Sequence, residues 1–225
     1  MNYLCMFLLA FQCITLVAKP ATTCSHESTC SLLQELYDAK KINGFHIQPE
    51  EHALINKCGG ASTYGEITDE AARTLFETLK PTANDVLVDL GSGCGRFCVY
   101  ALNATPMKKV IGVELSPTRS KQAQGVKELL IKNKQLPAGK KLHLLEADFL
   151  KADLSDVTIV YMASTCFSEE LMKKIADKLA QTKQKKLIVV TLRRLPEHKR
   201  FELITTITLP MTWSNKTPAY IYKLI

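Results

Sequence analysis

The sequence lacks the spacings from which metal centres are built: eight cysteines and five histidines include no pair of C-x-x-C units and no H-E-x-x-H. A metal site is therefore not expected. No internal repeat or low-complexity tract interrupts the 225 residues, which excludes solenoid arrays and points to one domain with at most an appendage. Tryptophan occurs once, as Trp213. Charge is not concentrated either. The 29 Lys and Arg against 22 Asp and Glu give a formal charge of +7 without a dense basic tail, which admits an acidic partner such as nucleic acid but does not demand one. At 46% hydrophobic and 23% charged, the chain can build a full core without disulfides or metal. The cysteines do not read as a disulfide framework. Cys5 and Cys13 lie in an apolar leader, Cys94 and Cys98 open a helix, and Cys166 follows a core strand, all places where cysteine acts as a small hydrophobe. Only Cys24 and Cys30, in a polar stretch, are placed to pair.

What the chain does have is Asp89-Leu90-Gly91-Ser92-Gly93-Cys94-Gly95-Arg96, reached at the end of the apolar run Val86-Leu87-Val88. This order suits a strand, a tight turn and the start of a helix. Glycine tolerates the positive φ of such a turn and lets a ligand lie against the main chain. A dinucleotide loop needs G-x-G-x-x-G, with a pyrophosphate at the helix N-terminus. Here the third glycine comes one residue early, and the Asp89 carboxylate would repel a pyrophosphate while accepting hydrogen bonds from an ammonium group. S-adenosylmethionine carries an ammonium group and no phosphate. Twenty-five residues after Asp89, the run Lys109-Val110-Ile111-Gly112-Val113 ends in Glu114, placed to accept both ribose hydroxyls. A third run, 142–147, ends in Asp148-Phe149, a carboxylate and a ring suited to the amino group and face of an adenine. Three acidic strand ends in series favour S-adenosylmethionine over a nicotinamide cofactor and over a purely structural glycine turn.

Period and punctuation place the elements. A short amphipathic helix is expected over 31–41 and a second near 49–57, ended by Cys58-Gly59-Gly60. Thr68 or Asp69 caps a third, which buries Leu75, Phe76 and Leu79 and stops at Pro81. From Val86 strands and helices alternate: helix 94–103, strand to 114, helix 117–134, strand to 147, strand 156–162, helix 168–181, strand 186–192. Strands 201–209 and 218–224 then follow with no helix between them. The fold class is α/β: a doubly wound, mainly parallel seven-stranded sheet with one antiparallel strand inserted near an edge, preceded by a small N-terminal helical region. Two basic segments fall late. Residues 183–186 read as a solvated loop, whereas 193–200 follow a strand directly and stand near the carboxyl end of the sheet, where ligands bind.

Tyr64-Gly65-Glu66, the glycine run, Gly112-Val113-Glu114, Ala147-Asp148-Phe149-Leu150, and Met211-Thr212-Trp213-Ser214 with Tyr220 seven residues after the tryptophan occur in that order. Together they resemble the catalytic domain of the disruptor-of-telomeric-silencing family, the histone-lysine methyltransferases that lack a SET domain. The likeness covers residues 62–225. It implies that Tyr64 and Glu66 lie on a loop closing over the methionine part of the cofactor, and that Asp89, Gly91 and Gly93 hold its amino-acid end. Glu114 then takes the ribose, Asp148 and Phe149 the adenine, while Phe167, Trp213 and Tyr220 line the channel for a lysine. Two positions depart from the family. Ala163-Ser164 stand where it carries paired asparagines, which removes an amide from the meeting place of cofactor and acceptor, and Arg96 replaces a glutamine. The implied reaction is in-line displacement at a sulfonium methyl by a neutral amine, on a basic protein as acceptor. Two other classes stay open: methylation of a small molecule or nucleic acid on the same fold, and a binding module that holds the cofactor without catalysis.

Simpler readings attach to several of these residues. A lone aromatic in a terminal hairpin, such as Trp213, is more often core than channel. Tyr64 before a helix reads equally as a hydrophobic staple, and Glu146 alternates outward towards solvent. The segment from Tyr3 to Ala18 has no charge, the length of a signal-peptide core and short for a membrane span. No Lys or Arg precedes it and no small-x-small cleavage site follows. Export, a short membrane anchor and a misplaced start codon are the three readings, and a cofactor made and kept inside cells argues for a cytoplasmic protein. The expected organisation is a leader at 1–18, a helical region at 19–61 and a methyltransferase domain at 62–225.

Overall fold

The computed structural model describes residues 24–225, so the leader, with Cys5 and Cys13 and the question of export or anchoring, lies outside the described residues. Helix α1 (His26–Ala39) opens on Ser25, whose hydroxyl accepts from the Ser28 N–H, and buries Leu33, Leu36 and Tyr37. It starts ahead of the expected residue 31 because a polar cap, not the apolar stripe, sets the first turn. Helix α2 (Pro49–Lys57) has proline in its first turn and a capping box between Gln48 and Glu51. Helix α3 (Asp69–Leu79) is capped by Thr68 and ends on Lys80 in the left-handed region, just before Pro81. Leu36 and Leu75 are wholly buried, each worth roughly 1.5–3 kcal/mol of transfer energy. Cys24 and Cys30 are free thiols, and the Cys30 sulfur lies 3.6 Å from His26 Nε2.

Strands β1 (Val86–Leu90), β2 (Lys109–Glu114), β3 (Lys141–Glu146), β4 (Ile159–Met162) and β5 (Ile188–Thr191) run parallel. Helices α4 (Arg96–Ala104), α5 (Pro117–Lys132) and α6 (Glu169–Ala180) connect them. Strand β7 (Ser214–Leu224) is antiparallel and lies between β5 and β6 (Phe201–Met211), giving the order β3-β2-β1-β4-β5-β7-β6. This is the expected sheet, including the inserted antiparallel strand.

Three of the other boundaries that differ from the sequence reading bear on the sheet and its loops. Strand β4 begins at Ile159 and not at residue 156, because the Val157 N–H closes a turn on the Leu154 carbonyl and Asp156 turns out to pair with Lys109 at 2.5 Å. The glycine loop extends to Gly95, so α4 begins at Arg96 and not at residue 94. The hairpin is also longer than expected, with only Thr212 and Trp213 in its turn. Pro218 fits inside β7 because β5 reaches only residues 220–223, so the missing N–H costs no bond to β5.

Alternate residues along the strands divide two cores. Leu87, Val110, Ile159 and Val190 face α1, α3, α4 and α5, while Val88, Ile111, Val160 and Val189 face α6. Strand order reverses direction between β1 and β4. A crevice opens outside their carboxyl ends, the place in such sheets where ligands bind.

Candidate active site

A cavity of about 420 Å³ occupies that crevice. Its floor is the turn after β1, in which Gly91, Gly93 and Gly95 all have positive φ (89°, 54° and 80°). The N–H groups of Gly91 and Ser92 both donate to the Val113 carbonyl, at 2.8 and 3.1 Å, which pins the turn to the end of β2. Glu114 completes the clamp: one carboxylate oxygen accepts from Gly93 N–H at 2.8 Å, the other from Ser116 N–H at 2.9 Å. Asp89, only 4% exposed, also lines the cavity. Its Oδ1 has no partner, and its Oδ2 has only the Cys98 thiol at 3.9 Å. Burial, with the charge of Glu114 adding to it, pushes the Asp89 pKa up to about 8.

The wall above is the segment between α2 and α3. Tyr64 Oη donates to Glu66 Oε1 at 2.5 Å, and the Tyr64 ring is wedged so closely between Gly44 and Gly93 that a β-carbon at Gly44 would overlap it. Burial raises the pKa of Tyr64 and of Glu66, so the tyrosine stays neutral and the carboxyl resists ionisation. Glu66 is tied to the hairpin turn twice: its N–H donates to Thr212 Oγ1 at 2.9 Å, and its carbonyl accepts from Thr212 N–H at 3.0 Å. Arg96 forms a two-pronged pair with Asp69, at 2.8 and 3.3 Å, and lies 5.3 Å over the Tyr37 ring. Sequence reasoning missed Arg119. Buried and lining the cavity, it donates to the carbonyls of Gly44 (2.9 Å) and Ser62 (2.6 Å) and sits 4.8 Å from the Tyr64 ring centre. Tyr64 is thus held over the glycine turn, with the Arg119 guanidinium against its ring.

On the far side, the Phe149 and Phe167 rings stack at 5.8 Å, and Asp148 accepts from Leu150 N–H at 2.9 Å. Arg193 donates to the Phe167 carbonyl, and the Ser164 hydroxyl accepts from Leu192 and Arg193 N–H at 3.1 Å each, so β5's end buttresses this wall. Trp213 is 43% exposed and lines the cavity, which removes the core reading. The crevice therefore brings together Tyr64, Glu66, Asp89, Gly91, Gly93, Glu114, Asp148, Phe149, Phe167 and Trp213. Tyr220 is not among its lining residues. It packs with the α6-side core, beneath Arg194 at 4.9 Å.

A β-carbon at Gly65 would overlap Cε3 and Cζ3 of the Trp213 indole. Gly65→Ala is therefore expected to displace the half-exposed ring while leaving the melting temperature nearly unchanged. The chain's single tryptophan reports it: the emission maximum moves to longer wavelength, and an unaltered spectrum would contradict this packing.

Residues 45–209 match the family model described as histone methylation protein DOT1. The chain belongs to the DOT1 family. Similar to it is a Caenorhabditis elegans histone-lysine N-methyltransferase, H3 lysine-79 specific, 28% identical over 148 residues that cover 62% of this chain and 16% of that protein. A Saccharolobus islandicus protein-lysine N-methyltransferase is 25% identical over 115 residues, 51% of this chain and 68% of that one. In fold the chain is similar to an RNA methyltransferase from Salinibacter ruber solved with S-adenosyl-L-homocysteine, with a TM-score of 0.52 and 20% identity over 70% of this chain and 92% of that one. The DOT1 match begins at residue 45 and so takes in α2, whose carboxyl end reaches the cavity through Cys58 and Gly60. The sequence reading used Cys58-Gly59-Gly60 only to end the helix and missed this contact.

Proposed function

We propose that this DOT1-family chain is an S-adenosylmethionine-dependent methyltransferase that alkylates the side-chain amine of a protein lysine. The observation that carries the reading is the buried Asp89 carboxylate on the cavity floor, with one oxygen unpartnered. A buried carboxylate without a counter-charge is costly, a cationic amine relieves it and a diphosphate worsens it. The two arginines on the wall do not serve Asp89, since Arg96 is paired with Asp69 and Arg119 with two carbonyls. The bound cofactor supplies an electrophilic methyl group on a cationic sulfur.

Asp89, Gly91 and Gly93 hold the amino-acid end, Glu114 the ribose, and Asp148 with Phe149 the adenine, while Tyr64 and Glu66 close the methionine side. Phe167 and Trp213, with Ala163 and Thr165, wall the acceptor side. An incoming lysine loses water there, and the apolar wall penalises its ammonium form, so the neutral amine with its lone pair is favoured. Alignment of that amine supplies the rate, and no strong base is required at the nitrogen. The names of the relatives support lysine as the acceptor: the archaeal protein is a protein-lysine N-methyltransferase, and nematode and Drosophila melanogaster relatives are H3 lysine-79 specific.

Tritiated cofactor incubated with the chain and with core histones, nucleosomes, a cell lysate or RNA tests this. Label in protein lysine is the expected result. Label confined to RNA or to small molecules would move the acceptor to another class, and no label despite tight cofactor binding would leave a binding module.

A further inference from the structure

Four tyrosines are buried among the described residues: Tyr37, Tyr100, Tyr161 and Tyr222. Three have hydroxyl partners. Tyr37 donates to the Cys94 carbonyl at 2.8 Å, Tyr100 bonds His26 Nδ1 at 2.8 Å, and Tyr222 accepts from Leu195 N–H at 3.2 Å. Tyr161 is 2% exposed and its Oη has none. Its ring packs against Phe97 at 4.5 Å between centres, a contact that phenylalanine would make as well. Packing accounts for the ring and leaves the hydroxyl unexplained, since an orphaned buried hydroxyl costs stability.

The position of that hydroxyl is informative. Tyr161 and Asp89 are register partners across the parallel strands β4 and β1, so their side chains leave the same face of the sheet side by side. Among the buried side-chain atoms without partners, Asp89 Oδ1 and Tyr161 Oη are the two whose residues line the cavity. They are also complementary to one group. An ammonium has several N–H donors and no acceptor, a carboxylate only accepts, and a phenol oxygen can accept as well as donate.

We infer that Tyr161 is a specificity residue for the cofactor, its Oη accepting, beside Asp89 Oδ1, a second hydrogen bond from the α-amino group. The inference rests on the cofactor reading above and adds to it a residue that no motif marks. Tyr161 stays neutral in this role, because burial and the neighbouring Asp89 charge raise its pKa well above the ordinary phenol value. The seat selects ligands with a free amino group over the bare thionucleoside.

Calorimetric titration of wild type and Tyr161→Phe with S-adenosylhomocysteine and with 5′-methylthioadenosine, which lacks the amino-acid end, tests it. The two ligands share a neutral thioether, so the comparison isolates the amino-acid end. Tyr161→Phe is expected to lose about tenfold in affinity for the first and nothing for the second, as removal of one hydrogen bond to a charged group predicts. The ligand-free variant is expected to melt at the wild-type temperature or above, since it sheds an unpaired polar group. An unchanged ratio of the two affinities overturns the inference, as does a lowered melting temperature, which would mean that the hydroxyl serves the fold. Wild-type protein that binds neither ligand removes the cofactor reading and this inference with it, an outcome distinct from wild type and variant binding both alike.

Discussion

Glu114→Ala is expected to weaken S-adenosylhomocysteine binding by about a hundred- to a thousandfold. In the proposed seat Glu114 accepts from both ribose hydroxyls, and two charge-assisted hydrogen bonds of that kind contribute roughly 1.5–3 kcal/mol each, partly offset by the water that refills the gap. The side chain has a second task that the sequence did not reveal. It accepts from Gly93 and Ser116 N–H and so fixes the glycine turn that floors the cavity. Alanine leaves both N–H groups without an acceptor, at about 1–3 kcal/mol for each that stays buried, so the ligand-free protein should also melt lower. Glu114→Gln keeps one acceptor and is expected to fall between alanine and wild type in both measurements. Calorimetry and a thermal melt check the pair of effects. Affinity within threefold of wild type would refute the ribose assignment.

The double role of Glu114 marks the limit of what the sequence made legible. The strands and the acidic strand ends could be read because each is written in a few adjacent residues: an apolar run, then a carboxylate, then glycine or a polar turn. Asp89, Glu114, Asp148 and Phe149 reached the cavity for that reason. Residues whose role depends on pairing between distant segments were not legible. Arg119 looks like an ordinary residue of α5's first turn, and only the fold brings the Gly44 and Ser62 carbonyls to its guanidinium. Tyr161 reads as one more apolar strand residue until the β1–β4 register sets it beside Asp89.

Tyr220 illustrates the converse. Its distance from Trp213 fitted the motif, yet strand alternation puts Ala219 and Ile221 on the core face shared with Met211, while Tyr220 turns to the α6 side. Arg96 shows how a departure can be absorbed: its charge is used by Asp69 at the start of α3. Ser164 shows the same, since its hydroxyl is spent on the end of β5 and does not replace a lost amide in the cavity.

Cofactor affinity is expected to rise at least tenfold between pH 6 and pH 8, with about one proton released per ligand bound near pH 7. In the free protein the Asp89 carboxyl has its pKa pushed up to about 8 by burial and then by the Glu114 charge, against the opposing hydrogen bond from the Cys98 thiol. Below that pH it holds a proton that must leave before the carboxylate can face an ammonium group, so affinity falls by about tenfold per unit on the acid side. Above about pH 8 the ligand's own α-amino group begins to lose its charge, which closes the profile into a bell. Stability of the free protein runs the other way. The native state binds more protons here than the unfolded chain, so the contribution of Asp89 is whole below the ordinary carboxylate range and is lost as the pH rises through about 8. Titrations at pH 7 in two buffers of different ionisation enthalpy should therefore give different heats. Asp89→Asn should abolish that difference and flatten the acid limb of the profile. Heats independent of buffer in the wild-type protein would mean that Asp89 is already ionised before the ligand arrives, and that no proton has to leave this crevice for a cation to enter.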